Sequence, residues 1–269
     1  MAPMVSVIMG VYNCADTLSE AIDSLLAQTY RDWELIMCDD GSSDDTYHVA
    51  EAYQKRFPDQ IILLRHDHNQ GLNITLNDCL QAANGKFIAR MDGDDISLPT
   101  RFEKEMEEFT KDPDLAVVSC PMIYFDENGE WGRGTVKGNG YPEKKALARG
   151  VVHCHAAAII RADVMREVGG YTVSDHLLRV EDWHLWIKIY AAGYYGKNIL
   201  ECLYMMRDDR DALKRKKLKT SINESRLTLV AVKQLHLPKA YIFYSVRPII
   251  VGLLPKRVYS FLHRLKKRF

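Results

Sequence analysis

The chain has 269 residues, 47% of them hydrophobic and 27% charged, with 36 basic against 36 acidic side chains. These totals exclude a disordered or low-complexity chain and leave length for one large or two small domains. The zero net charge excludes a uniformly basic protein but hides an asymmetry. Residues 214–269 hold 15 Lys or Arg and one acid, Glu224, so this end carries +14 and the first 213 residues −14.

The six cysteines at 14, 38, 79, 120, 154 and 202 form no Cys-x-x-Cys pair, and most lie in apolar segments. They read as buried free thiols in a reducing compartment. The N-terminus passes straight into a strand pattern without a basic region before an apolar stretch, so no signal peptide is expected. No run approaches the ~20 apolar residues that span a bilayer.

In chain order, Val5 to Met9 is the first expected strand, and Asn13 stands ready to cap a helix carrying Leu18, Ile22, Leu25 and Leu26 at helical spacing. Trp33 to Cys38 is a second strand, ending in the acidic turn Asp39 to Asp45, with a helix to about Phe57. Ile61 to Leu64 is a third strand and Leu72 to Ala83 a third helix, stopped by Asn84-Gly85. Phe87 to Met91 is a fourth strand, running directly into Asp92-Gly93-Asp94-Asp95. Pro99 suits the first turn of a helix to about Phe109.

These strands end near residues 11, 38, 65 and 91, a repeat of about 26 or 27 residues. Strand and helix alternating at this length specify a parallel sheet, whose ligands bind beyond the carboxyl ends of the strands. Tyr12, Asp39, Asp40 and Asp92 to Asp95 therefore share one edge.

Farther on, Leu115 to Cys120 reads as a strand, Glu127-Asn128-Gly129 as a hairpin turn, and residues 132–143 as an irregular loop. Ala156 to Ile160 reads as a strand that also carries His153 and His155 on one face, without further ligands nearby for a transition metal. A short helix, Arg161 to Val168, stops at Gly169-Gly170, and a loop from 171 to 180 leads to Glu181-Asp182 at the head of a helix reaching Ala192. Two acids suit that first turn, but they also follow a loop able to face the acidic edge. Arg207-Asp208-Asp209-Arg210 reads as a solvated turn.

Three carboxylates at a strand mouth repel one another, and a divalent cation or a helix N-terminus is the usual compensation. A cation there suits a diphosphate, because it neutralises charge on a leaving group. No Gly-x-x-x-x-Gly-Lys-Ser/Thr loop is present, and no Gly-x-Gly-x-x-Gly follows the first strand. P-loop NTPases and dinucleotide dehydrogenases are thereby disfavoured. A separate carboxylate, Asp182, could take a proton from an incoming hydroxyl.

Ser6 to Asn13, Glu34 to Thr46, Asn69-Gln70-Gly71-Leu72 with Asn77, Asp92 to Asp95 with Leu98-Pro99-Thr100-Arg101, and Glu181 to Trp186 follow one another as the motifs of glycosyltransferase family 2 do. The chain resembles that family over roughly residues 4–207. The resemblance implies a GT-A fold (α/β, with a Rossmann-like, mostly parallel central sheet flanked by helices) and an inverting, nucleotide-sugar-dependent hexosyl transfer with Mg²⁺ or Mn²⁺. It implies that Val11 and Tyr12 line the nucleoside pocket with Asn69 and Gly71, that Asp40 bonds the base, commonly uracil, and that Asp92 meets the ribose or the metal. Asp94 becomes the principal metal ligand, Asp182 the general base, and Glu181 and Trp186 the acceptor side. His155 would stand near the diphosphate, and residues 132–142 would form a loop over the acceptor.

The expected organisation is a GT-A domain over residues 1–213, with a nucleotide-binding half to about 95 and an acceptor half after it, then a basic helical tail over 214–269. In that tail Tyr241 to Leu254 is apolar but broken by Arg247 and Pro248. Aliphatic and aromatic residues interleaved with Lys and Arg suit anionic lipid. Nucleic acid is a competing partner for such charge and a packed helical cap a third reading; the density of aliphatics favours membrane over nucleic acid. The resulting expectation is a cytoplasmic enzyme, peripheral to the inner face of the membrane, that uses a UDP-sugar and a saccharide or lipid-linked acceptor in polysaccharide synthesis. A non-catalytic sugar-nucleotide-binding module of the same fold is the alternative. A nucleotidyltransferase is a third, weakened because Tyr12 to Ala15 supplies no Gly-rich basic loop.

Overall fold

The structure, a computed structural model, describes residues 3–136, 138–208 and 218–253. The first half follows the expected alternation: β1 (Val5–Val11), α1 (Ala15–Leu26), β2 (Trp33–Asp39), α2 (Thr46–Arg56), β3 (Ile61–Arg65), α3 (Leu72–Ala82) and β4 (Phe87–Arg90). β1 and β2 are buried along almost their whole length, which their continuous apolar sequences require of strands covered on both faces. Odd-numbered β1 residues Val5, Val7, Met9 and Val11 pack with Leu18 and Ile22 of α1, while Ile8 packs on the opposite face with Leu76 and Cys79 of α3.

After the acidic loop come β5 (Ile96–Ser97), α4 (Arg101–Lys111), β6 (Val117–Ser119), the hairpin β7 (Met122–Asp126) and β8 (Gly129–Arg133), β9 (Ile159–Arg161), α5 (Ala162–Glu167), α6 (Glu181–Ala191), β10 (Gly196–Asn198) and β11 (Tyr204–Arg207). The main sheet has the order β10-β6-β9-β4-β1-β2-β3, and a second, four-stranded sheet the order β5-β11-β7-β8. β9 runs antiparallel to both its neighbours, β4 and β6. β1 pairs in parallel with β2 on one side and β4 on the other. Strand order therefore reverses at β1, which opens a crevice at the carboxyl ends of β1 and β4.

Several local expectations are corrected. Asn13 does not cap α1. The first amides of that helix are taken from across the chain instead: the Cys14 amide donates to Thr46 Oγ1 at 2.8 Å and the Ala15 amide to Asp44 Oδ2 at 3.1 Å. Asn13 Oδ1 accepts from the Ser43 amide. α4 is capped in the same way, its Phe102 amide donating to the buried Gln28 Oε1. β9 begins only at Ile159, so His153 and His155 lie on a loop and share no strand face. The segment expected as an irregular loop is tied to β10 and α6: the Asn198 amide donates to Gly140 O at 2.7 Å, and the Tyr190 hydroxyl donates to Pro142 O. β5, β10 and β11 are too short to be read from alternation.

The last described elements are α7 (Leu218–Gln234), a 3₁₀ segment over Lys239–Ser245, and α8 (Val246–Leu253). Leu227, Ala231 and Leu235 enter the same core as Trp183, Trp186 and Leu76. The helix expected to begin the tail is thus built into the main body. The basic run 214–217, Asp209-Arg210 and the basic end from residue 254 lie outside the described residues. No helix among the described residues is long and apolar enough to cross a membrane.

Truncating a fully buried leucine costs about 2–5 kcal/mol. Leu227→Ala should lower the urea midpoint of the whole protein in one cooperative transition. An unchanged midpoint would mean that α7 is an independent appendage.

Candidate active site

The site is built on the ends of β1, β2 and β4. Its centre is the loop Asp92 to Asp95, where carboxylate oxygens of Asp92, Asp94 and Asp95 all lie within 4.8 Å of one another. Arg90, almost fully buried, forms an ion pair with Asp92 from the last position of β4. Arg101 at the head of α4 donates to the Arg90 carbonyl at 3.1 Å, fixing the strand end. From the second sheet, the Arg207 amide donates to Asp95 Oδ1 at 2.8 Å and its Nε to the Asp94 carbonyl at 2.9 Å. Arg207 also pairs with Glu20, so it straps the acidic loop to α1. Gly93 packs closely here: a Cβ would stand 3.0 Å from both Cys14 Sγ and Val11 Cγ1.

These carboxylates strain against one another. Burial, then the charges of Asp92 and Asp94, push Asp95 up to about 8. Loss of solvent, then the Asp92 charge, raises Asp94, although its side chain stays open to water. Asp95 Oδ2 is buried and accepts no hydrogen bond. Converging hard oxygens, raised carboxyls and an orphaned acceptor are the donor set that Mg²⁺ or Mn²⁺ fits. Asp95 belongs to this set with Asp92 and Asp94.

The nucleoside-side residues lie along the neighbouring strand ends. Val11 is buried, whereas Tyr12 is 49% exposed beside it. Asp40 is 3% exposed. Its Oδ1 accepts from the Gln70 amide at 2.8 Å and its Oδ2 from the Gly71 amide at 2.9 Å, and it pairs with His66 Nδ1 at 2.8 Å. Burial acts against the ionised form, but these bonds outweigh it and hold Asp40 below the usual carboxylate range. Two carboxylate oxygens offer about four acceptor positions, so one remains on Oδ2. Asn69 is exposed on the loop that Asp40 gathers, and Gly71, at φ +95°, has open space where a side chain would stand. Gly41, at φ +69°, lets the β2 turn press against His68, whose backbone would be 2.6 Å from an added Cβ.

Asp182 occupies the first turn of α6. Burial, then the charge of Glu181, raises its carboxyl to about 6, while Arg90 acts in the opposite direction. Asp182, Glu181, Arg90 and Asp92 all act electrostatically on Tyr171, whose buried hydroxyl bonds His155 Nε2 at 2.8 Å. The two acidic motifs, about ninety residues apart in sequence, are therefore brought around one buried arginine. Asn77 secures the connection. Its Oδ1 accepts from the Tyr171 amide and its Nδ2 donates to the Tyr171 carbonyl, both at 2.8 Å, so α3 grips the loop leading to α6.

Other expected site residues sit deeper. Trp186 is fully buried and touches the rings of His153 and His155, so any effect on an acceptor passes through its neighbours. His153 Nδ1 bonds Asn198 Oδ1 at 2.7 Å and its Nε2 the Tyr190 hydroxyl at 2.9 Å. His155 meets Tyr171 rather than open solvent. Sequence reasoning missed Arg90, Tyr171 and Arg207. A lone arginine in an apolar strand was the available signal for the first; the others carried none.

The switch-point crevice thus carries three clustered carboxylates, with a further acid pair at the head of α6. The model of Glycosyl transferase family 2 matches residues 6–169, and the chain belongs to that family. It is 39% identical over 262 residues to "Putative glycosyltransferase EpsE" of Bacillus subtilis (strain 168), covering 97% of this chain and 94% of the relative. It is 24% identical to the Escherichia coli "UDP-Glc:alpha-D-GlcNAc-diphosphoundecaprenol beta-1,3-glucosyltransferase WfaP", with 92% and 94% covered. Among solved structures, S. aureus TarS 1–349 in complex with UDP superposes with a TM-score of 0.69 at 18% identity, over 93% of this chain and 70% of that one. The fold is GT-A.

Divalent Mn²⁺ or Mg²⁺ should raise the melting temperature of the wild type but not of Asp94→Asn. A carboxyl raised in the folded state supports stability at low pH, and that support is lost as the pH climbs through the folded value. Metal-free protein should therefore lose stability on approaching the Asp95 value of about 8, and saturating cation should remove the slope. Stability that rises over this interval would contradict the assignment.

Proposed function

We propose that the protein transfers a hexosyl group, with inversion, from a UDP-sugar to a hydroxyl of a lipid-linked saccharide, at the inner face of the membrane and in the synthesis of a cell-surface polysaccharide. The carrying observation is the pairing around Arg90 of a metal-type carboxylate cluster with a second, separate carboxylate, Asp182. The name of the WfaP relative, with its UDP-Glc donor and undecaprenol-linked acceptor, supports the choice of substrates.

Asp94, with Asp92 and Asp95, would hold Mn²⁺ or Mg²⁺, and the ion when bound would supply charge neutralisation to the departing diphosphate. Val11 forms the floor of the nucleoside pocket, Tyr12 offers its exposed ring to the base, and the free acceptor position of Asp40 takes the N–H of uracil. The loop at Asn69 and Gly71 closes that pocket. Asp92 is divided between Arg90 and the ribose or metal. Asp182, ionised above about pH 6, accepts the proton of the attacking acceptor hydroxyl, with Glu181 keeping its affinity for that proton high. A single base facing the leaving diphosphate gives attack from the opposite side, hence inversion.

The lipid-facing surface is assigned to the last described segment. Ile242, Phe243, Val246, Ile250 and Leu253 are all exposed, Phe243 by 78%. The sequence around them is strongly basic, which matches an anionic bilayer.

Asp182→Asn should lower kcat about 10²–10⁴-fold while leaving UDP affinity unchanged. In the wild type, kcat/KM should rise with pH through an ionisation near 6. Full turnover by the variant would remove Asp182 as the base. Phe243→Glu combined with Ile250→Glu should abolish co-sedimentation with phosphatidylglycerol vesicles; undiminished sedimentation would remove this face as the lipid surface.

A further inference from the structure

The donor site rests on a histidine that the catalytic reading leaves unused. His66 follows β3 and is largely buried. Its Nδ1 is 2.8 Å from Asp40 Oδ1, and its Nε2 is 3.0 Å from Asp78 Oδ2 on α3. A neutral imidazole has one N–H and one lone pair, so it can serve only one carboxylate as donor. The other nitrogen would then face an acceptor with its own lone pair. Asp40 is held ionised by its backbone bonds, so it does not readily supply the missing proton. Both contacts are satisfied together only when both ring nitrogens carry hydrogen.

We propose that His66 is an imidazolium strut and a positioning residue for the donor: its charge ties Asp40 to α3, and its deprotonation weakens the grip on the nucleoside. The inference rests on the donor reading above, through the assignment of Asp40 to the base. Asp40 holds the Gln70 and Gly71 amides, so a change in its orientation moves the loop that closes the pocket. The surroundings favour the charged ring. Burial opposes it, but Asp40, Cys38 and Asp78 together raise the His66 pKa. From β2 the facing groups are Asp40 and Cys38, whose Sγ is 3.5 Å from Nε2. From α3 it is Asp78. On its own strand, Arg65 turns toward Asp39 and the Tyr47 ring. The sign follows: a raised histidine stabilises the folded site at low pH and ceases to do so as the pH climbs through its folded value. The effect runs opposite to the ionisation of Asp182, which gains activity with pH, so it also sets the alkaline side of the working range.

Two measurements decide it. ¹⁵N ring shifts of labelled histidines, assigned with His66→Gln, should show His66 doubly protonated at neutral pH and titrating above the ordinary histidine value. Asp78→Asn should bring that value down. Calorimetric UDP affinity at fixed Mg²⁺ should then weaken on the order of fivefold more from about pH 6 to about pH 9 in the wild type than in His66→Gln. A neutral single-tautomer ring at pH 7, or an identical pH dependence of UDP binding in wild type and His66→Gln, would overturn the proposal. Absence of UDP binding at every pH would instead overturn the donor reading and the link to it, while the ring shifts still decide the strut.

Discussion

The site depends on how negative charge is held at the end of β4. Three carboxylates from four consecutive residues cannot share so small a space without positive charge close by. The protein supplies part of it from below, in the buried guanidinium of Arg90, and part from the side, in Arg207. The raised carboxyls of Asp94 and Asp95 show that the compensation is incomplete. What remains is an excess of negative charge that a divalent cation would neutralise. Arg90 also lowers the affinity of Asp182 for a proton. One buried side chain therefore acts on both acidic motifs.

The architecture serves that arrangement. Reversal of strand order at β1 places Tyr12, Asp40 and the acidic loop around one crevice. The second sheet brings Arg207 and the Tyr204 hydroxyl, which accepts from the Asp92 amide, against the same loop. Asn77 couples α3 to the segment that delivers Asp182. α3 also carries Asp78, which meets His66, so one helix holds both the loop after β3 and the loop leading to α6. α7 packs behind α6 in the same core, which places the exposed apolar face of α8 on the main body rather than on a separate tail.

Much of the fold was legible because long apolar runs and helical spacing are local signals. The first four strands and three helices fell within a few residues of their expected positions, and the acidic motifs came to the expected edge. What could not be read was set by distant partners. The cap of α1 is donated by Thr46 and Asp44 rather than Asn13, and that of α4 by Gln28. The histidine pair proved to be held by Asn198 and three hydroxyl or ring neighbours because β9 starts late. Trp186, which the resemblance puts on the acceptor side, is fully buried. Arg90 stood in plain view in an apolar strand, but its meaning required knowing that it pairs with Asp92 and acts on Asp182.

The central claim is that the cluster at Asp92 to Asp95 works on a nucleoside diphosphate through a divalent cation. The most direct measurement is release of nucleotide from UDP-, GDP- and TDP-sugars, with Mn²⁺, with chelator, and with a lipid-linked saccharide acceptor. The account predicts UDP release that needs both cation and acceptor and stops on chelation. Release that continues unchanged in the presence of chelator would contradict it.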